Sequence, residues 1–172
     1  NGDVSNLNVQ PITICVLKGL LTRSLEGVNM VNAPFIAKER GIEVQELKSN
    51  EIKDYTSTIQ VQVTTNQGSR DITGSIFGKG DPRIVRFDEY QFEAVISKHM
   101  LILSNKDVPG VIGNLGNVLG KNNINIAGFH LGRLEKTGNA VSVVNIDSPP
   151  TSETLRELRE TPNVVEVHSV VL

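Results

Sequence analysis

Apolar positions recur at helical spacing in "PITICVLKGLLTRSL" (residues 11–25). Ile12, Cys15, Val16, Gly19 and Leu20 fall on one side, and Pro11 suits a first turn, so this stretch predicts a helix. After the break at Glu26 and Gly27, "VNAPFIAKERGIEV" predicts a second, shorter helix. Asn32 is placed to cap it, Pro34 fits its first turn, and Gly41 can end it in the left-handed conformation. The period then changes. In "YTSTIQVQVTT" Ile59, Val61 and Val63 alternate with Thr58, Gln60 and Gln62, the mark of a half-buried strand. "NQGSR" turns the chain back into "DITGSIFG", which makes a hairpin. "KGDPR" reads as another turn, and "RIVRF" and "FEAVI" as two further strands around "DEY".

From residue 98 a new pattern starts. "HMLILS" is an apolar strand. Pro109 opens a helix with Val111, Ile112, Leu115, Val118 and Leu119 on one face, and Asn122-Asn123 stops it. "INIAGFHLGRL" is a strand, "EKTGN" a turn, and "AVSVVNI" the antiparallel partner. "SPPTSETLRELRET" carries a second helix, capped by Thr151 or Ser152, with Glu153 in its first turn and Pro162 at its end. "VVEVHSVVL" is the last strand. The order strand-helix-strand-strand-helix-strand is that of a ferredoxin-like βαββαβ unit. The expected fold class is therefore α+β in two domains: a mixed α/β domain over residues 1–97 and a βαββαβ domain over 98–172.

Composition narrows the function classes. The 172 residues carry a net charge of -2 and no tryptophan, which argues against nucleic acid as a partner. No apolar run approaches the roughly 20 residues that span a bilayer, so no membrane partner is expected. The single Cys15 suits a reducing compartment and is expected to be a small buried apolar side chain; the expected location is cytoplasmic. The chain starts with asparagine, which suggests that it was cut or processed from a larger protein.

The stretch "NKDVPGVIGNLGNVLGKNNINIAGFHLGR" (105–133) is rich in glycine but does not fit a phosphate-binding loop. Asn122 stands where a hydroxyl is needed, and Gly120-Lys121 fall at the end of a helix, whereas the phosphate site lies before one. "GKGDPR" likewise fails the dinucleotide pattern. What the stretch does offer is Asp107-Val108-Pro109-Gly110 between a strand and a helix. Gly110 admits a ligand close to the backbone, and the amides near Val111 and Ile112 can take a carboxylate. Asp107 beside them can accept from an ammonium group, so a free α-amino acid fits. The other reading of Asp107 is a helix cap, and the two can coexist. Asn125 starts a strand expected at a sheet edge. Through pairing of two such edges it could reach the loop of a second copy, or it is a turn residue at the strand entry.

These residues resemble an ACT domain, a small regulatory module that binds amino acids. The wider chain resembles the C-terminal part of the long-form bacterial D-3-phosphoglycerate dehydrogenases. "VNMVNAPFIAKERGIEV" and "ITGSIFGKGDPRIVRFDEYQFEA" are similar to the intervening, allosteric substrate-binding domain of that family and precede the ACT stretch in the same order. The resemblance implies a serine site at an ACT dimer interface. That site falls on Asn105, Asp107 and Asn125, with backbone of Gly110, Val111 and Ile112; the first position is often histidine or tyrosine in relatives. It also implies an anion effector of the intervening domain, for which Lys38, Arg40, Arg83 and Arg86 are the candidates; solvated surface charge is the other reading of these four. The intact enzyme of this family oxidises 3-phosphoglycerate to 3-phosphohydroxypyruvate with NAD, self-associates through ACT domains as a dimer or tetramer, and is inhibited by L-serine or another small amino acid.

The family's nucleotide-binding domain and its catalytic histidine, arginine and glutamate have no counterpart in these 172 residues. The chain is therefore expected to hold no catalytic residue, metal site or cofactor and to be inactive alone. His99, His130 and His168 are read as structural or surface residues. The first domain is expected to be cut short at its N-terminus. Two other classes stay open: the ACT tail of another amino-acid-regulated enzyme such as a serine dehydratase, and a ligand-free oligomerisation module.

Overall fold

A computed structural model describes residues 1–52, 54–134 and 138–172. The chain forms two compact units, Asn1–Val61 and Gln62–Leu172.

In the first unit, helices α1 (Gln10–Thr22) and α2 (Ala33–Glu39) form a small core of Leu17, Leu21, Ala33 and Ala37. Both helices carry a proline in the first turn. The buried side of α1 differs from the expected one, since Cys15 and Leu20 are exposed. The reason is that "ITICVLKGLL" is apolar at most positions. Its pattern marks a helix without choosing a face, and the small Ala33 and Ala37 of α2 select Leu17 and Leu21. Asn32 does not cap α2 through its side chain. Its Oδ1 instead accepts from the Asn29 amide at 2.8 Å, within the preceding turn. Gly41 ends α2 as expected, at φ 69°. The Gly41 and Ile42 amides return to the Lys38 and Ala37 carbonyls at 3.0 and 2.9 Å, closing the last turn.

The second unit contains two antiparallel sheets. One has the order β1-β2-β3-β4, with β1 (Thr58–Thr65) beginning at the end of the first unit, β2 at Gly68–Phe77, β3 at Asp81–Phe87 and β4 at Tyr90–Val95. The turn expected at "KGDPR" is narrower than predicted: Asp81, Pro82 and Arg83 already pair with Phe77, Ile76 and Ser75. The other sheet has the order β6-β7-β5-β8, formed by β5 (His99–Lys106), β6 (Ile126–Leu134), β7 (Asn139–Ile146) and β8 (Val164–Val171). With α3 (Val111–Lys121) after β5 and α4 (Ser152–Glu160) after β7, this is a ferredoxin-like βαββαβ arrangement. The turn expected over residues 135–139 falls partly at 135–137, outside the described residues.

Alternation along the central strands separates two cores. Leu101 and Leu103 of β5 and Val144 and Ile146 of β7 face Val111, Leu115, Leu119 and Leu158 of the helices. Met100 of β5 and Val141 and Val143 of β7 pack with Ile84, Phe92 and Ala94 of the other sheet. Strand β7 is consequently buried from Ala140 to Ile146, and its sequence lacks a polar face. Each large side chain so buried contributes about 1.5–3 kcal/mol. The segment Ile96–Lys98 links the two sheets; the sequence boundary near residue 97 lies within it.

Candidate functional site

Strand β5 carries Asn105 and ends at Lys106; the loop 107–110 then leads into α3. Asn105 is 5% exposed, and its Nδ2 donates to the Lys106 carbonyl at 2.7 Å. The loop is tied down on one side by the Asp107 amide, which donates to the Gly138 carbonyl at 2.8 Å.

Pro109 lies outside α3, which starts at Val111. The N-cap position is Gly110, at φ 93° and ψ -20°, a left-handed conformation that glycine adopts without strain. Among the described residues no side chain caps the helix, and Asp107 does not cap it. The first bond of the α-helical ladder runs from the Asn114 amide to the Gly110 carbonyl at 2.9 Å. The amides of Val111, Ile112 and Gly113 precede it and form the electropositive end of α3. Val111 is buried, whereas Ile112, expected on the apolar face, is 49% exposed beside the loop. At the other end of α3, Gly120 and Lys121 occupy the last turn, and Asn123 takes φ 55° as the stop signal implied.

Asp107 has a partner that periodicity did not reveal. Its Oδ2 accepts from Nε of Arg133, near the end of β6, at 2.7 Å. Asn125 precedes β6, so it and Arg133 stand at opposite ends of that strand. Eight residues of strand correspond to about 26 Å. One chain therefore holds Asn105, Asp107 and Gly110 together but not Asn125. Asn125 Nδ2 instead donates to Asp147 Oδ2 at 2.9 Å, where β7 ends. Both contacts cross between strands, and no local spacing announces them.

The basic candidates are divided between the two units. In the first, Lys38 lines a cavity of about 330 Å³ together with Thr13, Ile14, Leu17, Pro34 and Glu46, and Arg40 is the C-cap residue of α2. In the second, Arg86 Nη2 bonds Asp71 Oδ1 at 3.0 Å, and Arg83 Nη2 bonds Asp81 Oδ2 at 2.5 Å. The hydrogen bond that Arg83 donates to Asp81 raises the Arg83 pKa above its ordinary value. Their charges are thus already matched by carboxylates. His168 Nε2 lies 2.7 Å from Glu166 Oε1, while His99 Nδ1 and His130 Nε2 are buried without a hydrogen-bond partner among the described residues.

The βαββαβ sheet thus sets the start of α3 beside the Asp107 carboxylate. Residues 99–163 match the ACT domain family. Residues 1–88 match the D-3-phosphoglycerate dehydrogenase intervening domain, and the chain belongs to that family. Proteins named D-3-phosphoglycerate dehydrogenase are similar to it along nearly its whole length. That of Synechocystis sp. is 35% identical, covering 99% of this chain and 31% of the relative. That of Archaeoglobus fulgidus is also 35% identical, covering 100% and 33%. That of Bacillus subtilis is 33% identical, covering 99% and 33%. The chain thus spans about a third of the length of these curated relatives. Among the described residues no helix is long and apolar enough to cross a membrane.

Proposed function

We propose that this chain is the regulatory part of a cytoplasmic, NAD-dependent enzyme that oxidises 3-phosphoglycerate to 3-phosphohydroxypyruvate. In this reading its ACT domain binds L-serine between two copies of the chain, and binding inhibits the enzyme. The carboxylate sits at the amides of Val111 and Ile112, which the left-handed Gly110 leaves open. The ammonium goes to Asp107, and Asn105 borders the site. NAD and the reacting groups belong to the part of the enzyme outside these residues. Lys38, Arg40, Arg83 and Arg86 are the residues proposed for an anion effector; Arg83 and Arg86 would first have to leave Asp81 and Asp71.

The observation that carries the proposal is the separation of Asp107 from Asn125 within one chain, beside an edge strand. Among the described residues strand β6 pairs with β7 on one side only, at an edge of its sheet. Antiparallel pairing of β6 with β6 of a second copy, centred near Phe129, sets Asn125 of one copy opposite Arg133 of the other. Asn125 then completes a site that its own chain leaves open. Serine inhibits only if it binds the inhibited arrangement better. A tenfold bias corresponds to about 1.4 kcal/mol of differential affinity.

Calorimetric titration with L-serine, with glycine and D-serine as controls, tests this reading. Saturable binding near one serine per chain, lost in Asp107→Ala and Asn125→Ala, is the expected result. A folded dimer that takes up no amino acid would leave the ACT domain as an oligomerisation module.

A further inference from the structure

Arg133 brings to Asp107 the same charge that an amino-acid ammonium would bring, and it is already there. Its Nε donates to Asp107 Oδ2 at 2.7 Å. We infer that Arg133 is a tethered competitor for the ammonium subsite: a built-in cation that a ligand must displace from Asp107, and which therefore sets how tightly this site holds an amino acid. The inference rests on the amino-acid reading of the site.

Three features favour competition over a permanent structural pair. First, the two side chains are unequally exposed, 62% for Arg133 and 21% for Asp107. The arginine can swing into water, while the carboxylate stays at the loop. Second, the loop does not depend on the pair for its position. The Asp107 amide is held by the Gly138 carbonyl, and the Val108 amide returns to the Lys106 carbonyl at 3.0 Å. Third, Arg133 is fixed at its backbone by the β6–β7 ladder, opposite Ala140, so the guanidinium is delivered at high local concentration. A ligand then sees only the fraction of molecules in which Asp107 is free. Because exposed ion pairs are weak, that reduction amounts to about two- to fivefold in affinity. Ligands with a carboxylate but no ammonium do not compete with Arg133.

The test uses Arg133→Gln and Arg133→Met, both uncharged and at a position exposed in the single chain, each verified as a folded dimer, in calorimetric titration with L-serine and with 3-hydroxypropanoate, which lacks the ammonium. Both variants should bind serine about two- to fivefold tighter than the unaltered chain. The gain should vanish in the Asp107→Asn background, and 3-hydroxypropanoate should show none. Serine binding that is unchanged or weaker in both variants, with the unaltered chain still binding, overturns the role of Arg133 and leaves the amino-acid site standing. No serine binding by any of the three chains, all folded, overturns the site and the role of Arg133 with it.

Discussion

Gly132 of β6 lies against Phe92 of β4: a methyl group built on Gly132 would stand 2.8 Å from Phe92 Cδ1 and 3.0 Å from Tyr90 Cβ. The two sheets of the second unit close on each other at this point, and the glycine is there for space. Gly132→Ala should destabilise that unit by about 1–3 kcal/mol through overpacking. Around Gly116 of α3, nothing among the described residues beyond its chain neighbours and its own helix backbone lies within 4 Å of such a methyl group. Gly116→Ala should therefore stabilise by about 0.5–1 kcal/mol, as expected inside a helix. Urea unfolding of the two variants should move in opposite directions, and equal shifts would contradict the packing argument.

Asn145 of β7 holds the segment between the two sheets. Its Nδ2 donates to the Val95 carbonyl at 2.9 Å and to Ser97 Oγ at 2.6 Å, and the residue is 4% exposed. Ser97 Oγ in turn donates to the His99 carbonyl at 3.0 Å. Asn145→Ala should cost about 1–3 kcal/mol, because the half-buried Val95 carbonyl and Ser97 hydroxyl lose their donor. It should also speed proteolytic cleavage at residues 96–98 relative to the rest of the chain. Cleavage that keeps its original rate there would show that the strands alone hold the connection.

Thr151 caps α4 by accepting from the Thr154 amide at 3.1 Å. Thr154 Oγ1 donates onward to Asn122 Oδ1 at 3.0 Å, which joins the cap to the end of α3. Thr151→Ala should destabilise by about 1 kcal/mol, and Thr151→Ser should recover most of it. Thermal melts of both variants check this, and an unchanged Thr151→Ala melt would remove the cap from the account.

If each proposed serine site takes Asp107 from one copy and Asn125 from the other, two defective chains should repair each other. Asp107→Ala and Asn125→Ala homodimers should each bind no serine. Mixed dimers should recover one intact site per two chains, read by calorimetry after subunit exchange. Recovery absent from verified mixed dimers would place both residues in the same half of the interface, against the proposed pairing.

The βαββαβ order was legible because each of its elements is amphipathic or carries a local stop. Thr151 before an acidic first turn, and Asn123 and Gly41 in the left-handed region, mark element ends by local chemistry alone. Reading failed where the choice lay with a neighbour. The buried side of α1 was chosen by Ala33 and Ala37 of α2, so Cys15 came out exposed. The start of α3 slipped from Pro109 to Val111 because Gly110 turns left-handed before the helix begins.

The loop sequence by itself determined that a carboxylate, a glycine and a helix start stand side by side, since residues 107–112 are neighbours along the chain. Which charges meet was decided only by the tertiary structure. Arg133 reaches Asp107 from 26 positions away, and Asn125 pairs with Asp147 from 22 away. Partners brought together by strand pairing leave no period in the sequence, because the pairing depends on register between strands rather than on spacing within one.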